Sequence, residues 1–336
     1  MQRIFTFPPQ LAHKIEKILR VQFQIGLQDS KKIAEAVKKL SDYFIQNPLG
    51  STPWNESWAQ IAYLCYFLPL NHARAQAVVK EAEFQKFFEG LTEVIDFGSG
   101  PGTASLALTT YFNKFTMIEK AKEICSRLEF LPAQQTSWAA VAPTFQEPQK
   151  TLAVFSYSLT ELRSLPTWTK QIEALMIIEP ATQEDGRKLL ELRQELVGAG
   201  YSIWAPCTHQ GPCPLLTQSK NDWCHDRIHF DMPKWLEEVE SYLPMKNRTL
   251  TMSYLLARRR NAPPRNANLG RSVGDYLKEK GKDRQMFCRS SEREFLTWMH
   301  KTGLHQETSR GVLVEIPEDT PKVSNELRLK SSVRTF

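Results

Sequence analysis

The spacing of apolar positions changes near Leu91 and separates a helical part of the chain from an alternating part. Up to residue 90, apolar side chains recur at helical spacing, and this pattern predicts helices within residues 8–23, 29–45 and 56–90. The last of these segments is long enough for two helices, and Pro69 predicts that the first of them ends nearby. We therefore expect an N-terminal helical region over residues 1–90.

From Leu91 onward, short apolar runs alternate with amphipathic segments, which favours a parallel α/β sheet. Strands are predicted at 93–98, 114–119, 152–158, 174–180, 201–207 and 249–259, with a helix at 185–200. The expected fold class is α/β. A Rossmann-like sheet over residues 91–260 is interrupted by a Cys-rich insertion at 207–246 and completed by an antiparallel pair.

The pattern predicts less regular structure in the C-terminal region, residues 261–336. Residues 258–272 are expected to form a loop, 290–303 a capped helix and 311–319 a short strand, with a mobile polar tail after them.

The composition is that of a globular protein, with 41% hydrophobic and 24% charged residues. No apolar run approaches the ~18–20 residues that cross a bilayer, so no membrane partner is expected. The N-terminal sequence lacks the basic and apolar regions of a secretory signal. We expect a cytoplasmic protein, in a compartment that keeps thiols reduced.

The modest net charge of +6 is unevenly distributed. Residues 246–289 contain twelve Lys and Arg but three acids, so this block carries +9 and the remainder −3. Such a block suggests a polyanion as partner, although a solvated charged loop would look similar. The arginines that we expect to contact nucleic acid are Arg258, Arg259, Arg260, Arg265 and Arg271.

A glycine-rich turn follows the first predicted strand of the sheet, in "EVIDFGSGPGTASLAL". It is not a dinucleotide-binding turn, whose third glycine would fall at Thr103, and it lacks the Gly-Lys-Ser/Thr of a P-loop. Its pattern of Asp96, Gly98, Gly100 and Gly102 resembles the loop of class I S-adenosylmethionine-dependent methyltransferases. The resemblance implies that the three glycines line the methionine part of S-adenosylmethionine, with Asp96 nearby.

Two further positions fit the same resemblance. Glu119 ends the next predicted strand, where such enzymes bind the ribose hydroxyls, and Ser156 opens a segment, 156–162, that would line the adenine and methyl-transfer end of the pocket. The acceptor machinery of known classes is missing. There is no Asn/Asp-Pro-Pro-Tyr loop at Ser156, and the Pro-Cys at Cys207 comes two strands too late to be a nucleophile. We assign no catalytic residue.

Cysteines are concentrated in the insertion, where Cys207, Cys213 and Cys224 follow the spacing C-x5-C-x10-C, and sixty-three residues separate Cys224 from Cys288. Four thiolates complete a tetrahedral shell for zinc or an iron–sulfur cluster. The spacing lacks the paired short knuckles of a zinc ribbon. His209 and His225 are the competing ligands, with four cysteines preferred.

The strings "AYLCYFLPLNHAR", "DFGSGPGTAS", "IIEPATQEDGRKLLELR", "APCTHQGPCP", "WCHD" and "SYLLARR" together resemble the methyltransferase-like small-ribosomal-subunit assembly factors of bacteria and mitochondria. The resemblance covers residues 62–260, with Cys288 beyond it. It implies binding to the immature small subunit and its ribosomal RNA, and a [4Fe–4S] cluster on the cysteines named above.

The expected function is therefore that of a small-subunit assembly or translation factor that binds S-adenosylmethionine, an iron–sulfur cluster and ribosomal RNA, as a monomer. Two alternatives remain open. One is an active ribosomal RNA methyltransferase, and the other is an RNA-binding module with zinc and a vestigial cofactor pocket.

Overall fold

The N-terminal helices are visible in a computed structural model, which describes residues 3–47, 50–128, 130–142, 145–162 and 164–336. They are α1 (Pro9–Ile18), α2 (Ser30–Gln46), α3 (Ser57–Ala62) and α4 (Leu68–Phe84), with π-helical turns at Leu19–Phe23 and Tyr63–Phe67. The chain stays helical past Pro69, where a helix end was predicted. Pro69 is the second residue of α4 and directly follows the π-helical turn at Tyr63–Phe67, where the regular α-helical hydrogen-bond pattern is already interrupted.

All six predicted strands of the central sheet are present. The strands are β1 (Ile4–Thr6), β2 (Glu93–Phe97), β3 (Phe115–Ile118), β4 (Thr136–Ala139), β5 (Thr151–Ser156), β6 (Ala174–Glu179), β7 (Ser202–Ala205), β8 (Asp226–Asp231) and β9 (Thr249–Arg258). Their order is β1-β8-β9-β6-β5-β2-β3-β4, and β7 also pairs with β9. The neighbours from β4 to β6 are parallel, whereas β9 is antiparallel to β6, β7 and β8. The expected α/β class, with a late antiparallel strand, is confirmed; β1, β4 and β8 were not predicted.

Helices cover both faces of this sheet. The remaining helices are α5 (Thr103–Leu108), α6 (Lys122–Cys125), α7 (Gln183–Gly198), α8 (Pro214–Thr217) and α9 (Lys234–Ser241), and short 3-10 turns lie at Ser126–Leu128, Ala133–Gln135, Pro148–Lys150, Leu159–Glu161, Thr167–Gln171 and His300–Thr302. Side chains alternate along each strand. Val154 and Met176 pack with α1, α2 and α4, while Phe155 and Ile177 pack with α7 on the opposite face.

The C-terminal region forms a second sheet, which corrects the expectation of a helix and a mobile tail. The loop predicted at 258–272 is present over residues 259–268, and the strand predicted at 311–319 contains residues 313–315 as a strand. The strands of the second sheet are β10 (Leu269–Glu279), β11 (Lys282–Cys288), β12 (Glu294–Met299), β13 (Leu313–Glu315), β14 (Lys322–Val323), β15 (Glu326–Leu329) and β16 (Arg334–Thr335). The order is β14-β15-β12-β11-β10-β13-β16. The helix predicted at 290–303 is wrong, because residues 294–298 are buried between β11 and β15 as a strand. A short apolar run behind Ser residues suits either structure, and the aromatic and Thr content favours the strand.

Candidate cofactor and metal sites

The glycine turn lies between β2 and α5 and depends on backbone angles that suit glycine. Gly98, Gly100 and Gly102 have φ of +65°, +50° and +90°, in the left-handed region. A Cβ on Gly98 would lie 2.7 Å from Ser158 Cβ, so this glycine also permits the close approach of the loop after β5. The turn thus brings the ends of β2 and β5 together, as the predicted pocket requires.

Asp96 lies in the interior beneath this turn. Its Oδ2 accepts a hydrogen bond of 2.7 Å from Ser105 Oγ, which joins the end of β2 to α5. Burial raises the pKa of Asp96 to about 7. The side chain therefore supports the turn from below and orders the first turn of α5.

Glu119 follows β3 and reaches the same turn. Its Oε2 accepts a hydrogen bond of 3.0 Å from the Gly100 N–H, and its Oε1 accepts one of 3.0 Å from the Ala121 N–H. The acid that was predicted from its position one strand later is therefore in direct contact with the glycine turn.

The N-terminal region covers the turn with aromatic side chains that were not predicted to take part. A Cβ on Gly100 would lie 3.2 Å from Trp54 Cζ2. The Trp54 and Tyr63 rings lie 4.9 Å apart, and Tyr63 Oη is 3.0 Å from Thr103 Oγ1 on α5. Tyr63 lies 40 residues before Thr103 in the sequence, and Trp54 lies further away. No local sequence pattern could therefore associate these two aromatic residues with the glycine turn.

Polar groups without partners lie at the ends of β5 and β6. Ser156 ends β5, and Tyr157 after it has a left-handed φ of +58°, a strained value for a non-glycine residue. Glu179 ends β6 and is 3% exposed; its Oε1 accepts a hydrogen bond of 3.0 Å from the Leu159 N–H. Within the described residues, neither Glu179 Oε2 nor buried Ser158 Oγ has a partner.

Burial raises the pKa of Glu179 to about 8. The carboxyl is therefore neutral at pH 7. The sequence did contain a signal for this residue, since an acid that directly follows five buried apolar positions at a strand end lies at the site-forming edge of the sheet.

The four predicted cysteine ligands converge. Cys207 follows β7, Cys213 precedes α8, Cys224 precedes β8, and Cys288 is the last residue of β11 in the second sheet. All four line one cavity, with α7 as its opposite wall. Burial, followed by repulsion from the other three thiols, raises the pKa of Cys288 well above its usual range. Burial also raises the pKa of Cys213 and Cys224, and a cation bound in the cavity would favour the thiolate form.

The two histidines are placed differently. His209 Nε2 lies 3.7 Å from Cys288 Sγ at the cavity wall, and its buried Nδ1 has no partner among the described residues. His225 stacks on Trp223 and lies 3.2 Å from Arg310. Burial lowers the pKa of both histidines to about 4, so both are neutral. Within the described ranges, no three His, Cys, Asp or Glu side chains are arranged to hold a single metal ion.

Two of the five arginines predicted to contact nucleic acid cannot do so from where they lie. Arg258 is 3% exposed and pairs with Glu173 at 3.0 Å, and Arg271 is 2% exposed and pairs with Glu81 at 2.6 Å. Arg271 Nε also donates to the Pro206 carbonyl at 2.7 Å and so joins the second sheet to the start of the insertion. The sequence shows that both residues are cations, but it does not show that Glu173 and Glu81, which are distant in sequence, pair with them.

The other three arginines differ in access. Arg265 is partly buried and donates to the Trp204 carbonyl. Arg259 and Arg260 are exposed at the end of β9, and Arg259 lies over the Tyr201 ring at 4.5 Å. Lys278 and Lys280, at the β10–β11 turn, are also exposed.

Comparison with known structures finds methyltransferases over about half of this chain. A candidate RNA methyltransferase from Pyrococcus horikoshii is 14% identical, covering 55% of this chain and 83% of its own, with a TM-score of 0.34. TrmK of M. capricolum, solved with S-adenosylhomocysteine, is 11% identical, covering 55% and 69%, with a TM-score of 0.31. The 23S rRNA methyltransferase ErmE is 14% identical, covering 56% and 70%, with a TM-score of 0.29.

None of the helices that the structure describes is long and apolar enough to cross a membrane.

No curated protein matches this chain. The profile of the family described as mitochondrial small ribosomal subunit Rsm22 matches residues 57–295, well over half of the 336 residues. The chain therefore belongs to the Rsm22 family.

Proposed function

We propose that the protein is an assembly or translation factor of the small ribosomal subunit, with an S-adenosylmethionine site at the glycine turn and a [4Fe–4S] cluster on four cysteines. The observation that carries the proposal is the convergence of Cys207, Cys213, Cys224 and Cys288 on one cavity. Three of these cysteines come from the insertion of the first sheet and one from the second sheet. A bound cluster would therefore hold the two sheets in one arrangement.

The cavity fits a metal group by its chemistry. Four thiols are a complete ligand set for either an iron–sulfur cluster or zinc. His209 Nε2 is 3.7 Å from Cys288 Sγ, which supports a role for this imidazole in orienting a thiolate of the proposed site. The cluster is preferred over zinc because the spacing lacks short paired knuckles.

The glycine turn fits S-adenosylmethionine in the same sense. Gly98, Gly100 and Gly102 add no side chains of their own to the turn, and Glu119 lies at the turn with oxygens that can accept from ribose hydroxyls. Ser156, the last residue of β5, would line the edge of this site. When bound, the cofactor supplies an electrophilic methyl group.

Ribosomal RNA is the proposed partner of the exposed cations. Arg259 and Arg260 at the end of β9, with Lys278 and Lys280 at the β10–β11 turn, can reach phosphates, and binding should weaken steeply with salt. We retain Arg265, which is partly buried, as a further proposed RNA contact. We propose that the protein is a monomer and that it is located in the cytoplasm. Because the matching family is described as mitochondrial, cell fractionation should test the cytoplasm against the mitochondrial matrix.

A second function, methyl transfer to ribosomal RNA, is favoured by one observation. Ser158 Oγ, next to Gly98, and Glu179 Oε2, at the end of β6, are buried without partners among the described residues, and polar groups of an acceptor could satisfy them. Transfer would move the methyl group from the sulfonium to the acceptor, and the acceptor would lose a proton.

Metal analysis tests the first proposal. Anaerobically purified protein should contain iron and sulfide in cluster stoichiometry, and Cys213→Ser should lose them. Cys125→Ser is the matched control, since Cys125 is a buried thiol outside the cavity. Zinc in place of iron would select the alternative metal, and a Cys213→Ser protein with its full metal content would refute the ligand set.

Incubation of labelled S-adenosylmethionine with precursor small subunits separates the two functions. Label transfer that is lost in Asp96→Asn would establish the methyltransferase. Binding of cofactor and subunit without transfer would establish the assembly factor. Failure to bind precursor subunits at all would refute both.

A further inference from the structure

Arg193 is a buried cation without a carboxylate partner. It lies on α7, its side chain is 0% exposed, and it is one of the largest fully buried side chains. Its Nη2 donates to the His209 carbonyl at 2.8 Å and its Nη1 donates to Gln194 Oε1 at 3.1 Å, while Nε has no partner. No carboxylate of the described residues pairs with it.

This arrangement differs from that of the other buried arginines. Arg258 pairs with Glu173 at 3.0 Å, and Arg271 pairs with Glu81 at 2.6 Å. Taking a guanidinium out of water costs several kcal/mol, which neutral hydrogen-bond acceptors only partly offset. An arginine kept in the interior without an acid therefore indicates that another anion lies close to it.

The four-cysteine cavity is the neighbouring group that can become an anion. Leu189 and Leu190 of α7 line the cavity, and Arg193 lies one helical turn further along the same face. Its contact residue, His209, is 3.7 Å from Cys288 Sγ. The guanidinium is therefore connected to the cavity wall through His209.

We propose that Arg193 is the internal counter-cation of the four-cysteine site, and that the site carries a net negative charge when its metal group is bound. The inference rests on the proposed function because it requires a metal group in the four-cysteine cavity, and it holds for an iron–sulfur cluster and for zinc. Four thiolates leave a negative charge on a [4Fe–4S] cluster and on a zinc ion alike. Arg193 is thus a positioning and charge-compensating residue, and it does not ligate the metal.

The sign of the stability change distinguishes this role from a structural one. In the loaded protein, Arg193→Met removes the partner of a buried anion, so the melting temperature should fall and release of metal to a chelator should accelerate by roughly 10–100-fold. In the metal-free protein the same change removes an unpaired buried cation. The melting temperature should then stay equal to that of the wild type or rise.

Two more variants complete the design. Arg193→Lys keeps the charge and should retain metal close to the wild-type level. Arg187→Met is the matched control: Arg187 lies on the same helix and donates to the carbonyls of Leu215, Ser219 and Asp222 in the insertion, without an orphaned atom. It should destabilise the loaded and the metal-free protein equally. If the metal is iron, Arg193→Met should also shift the reduction potential to a more negative value.

Each outcome has a separate meaning. Wild-type protein without stoichiometric metal refutes the proposed function, and with it the anion that Arg193 is inferred to balance. Wild-type protein with metal, but with Arg193→Met that releases it at the wild-type rate, refutes the inference alone. Equal destabilisation of both forms, or an Arg193→Met chain that does not fold without metal, also refutes it.

Discussion

Replacing Glu179 by Gln tests whether a neutral carboxyl is built into the end of β6. The residue is 3% exposed, and burial raises its pKa from an ordinary 4.5 to about 8, with smaller contributions from Asp185 and Glu161. Because the Leu159 N–H donates to Oε1, the proton belongs on Oε2, which has no partner in the described residues. Gln preserves the shape and cannot ionise.

The magnitude follows from the size of the pKa shift. The folded protein binds this proton more tightly than the unfolded chain does, so its contribution to stability is fully present below pH ~4.5 and is lost as the pH rises through ~8. The free energy of unfolding of the wild type, relative to Glu179→Gln, should fall by about 1.4 kcal/mol per pH unit, or up to ~5 kcal/mol in total. Asp96 adds a similar dependence to both proteins, so the difference isolates Glu179.

Urea titrations at several pH values between 4.5 and 9 provide the measurement. Glu191→Gln, which changes an exposed carboxyl on α7, is the control for the chemical change from Glu to Gln. A difference between the wild type and Glu179→Gln that stays constant over this range would show that Glu179 is ionised in the folded protein. The assignment of the proton to Oε2 would then be wrong.

Three further predictions concern other sites. Gly98→Ala should abolish S-adenosylmethionine binding in calorimetric titrations, because φ is +65° and the new Cβ would lie 2.7 Å from Ser158 Cβ; unchanged affinity would remove the turn from the proposed site. Arg258→Met should reduce the free energy of unfolding by about 3–5 kcal/mol in urea, because Glu173 is left without its partner; a much smaller loss would show that Glu173 regains water. Arg259→Glu should weaken binding to small-subunit RNA and reduce its salt dependence in anisotropy measurements, with the melting temperature unchanged. A lower melting temperature with intact RNA binding would assign Arg259 to the fold instead.

The sequence predicted the parts of this fold that local patterns determine. The strands that became β2, β3, β5, β6 and β9 were recognised from short apolar runs, and the glycine turn was recognised from its spacing. Glu119 was expected at this site from the resemblance to class I methyltransferases, in which the acid at the end of the next strand binds the ribose, and it does contact Gly100. These features depend on residues that lie close together in sequence or on the resemblance to a known family.

Other features depend on contacts between distant segments. The β12 segment looked helical because strand pairing with β11 and β15 leaves no clear local period when both faces are buried. Arg258 and Arg271 looked like RNA contacts because their carboxylates, Glu173 and Glu81, come from distant helices and loops. The packing of Trp54 against the glycine turn could not be predicted either, because Trp54 is distant from the turn in sequence.

The position of β9 in the first sheet determines how this protein can fold during synthesis. Residues 249–258 lie between β6 and β8, and β1, at residues 4–6, pairs with residues 229–231. At ~5–20 residues per second, the first strand waits roughly 10–45 s for its partner to be translated. The apolar faces of α1, α2 and α4 lack much of their sheet during that interval. The second sheet contains neighbouring hairpins of low contact order and can close soon after its last residues emerge. Nascent chains from which residues 249–258 have not yet emerged are therefore expected to be the main clients of chaperones, and chains from which these residues have emerged should be better protected from proteases.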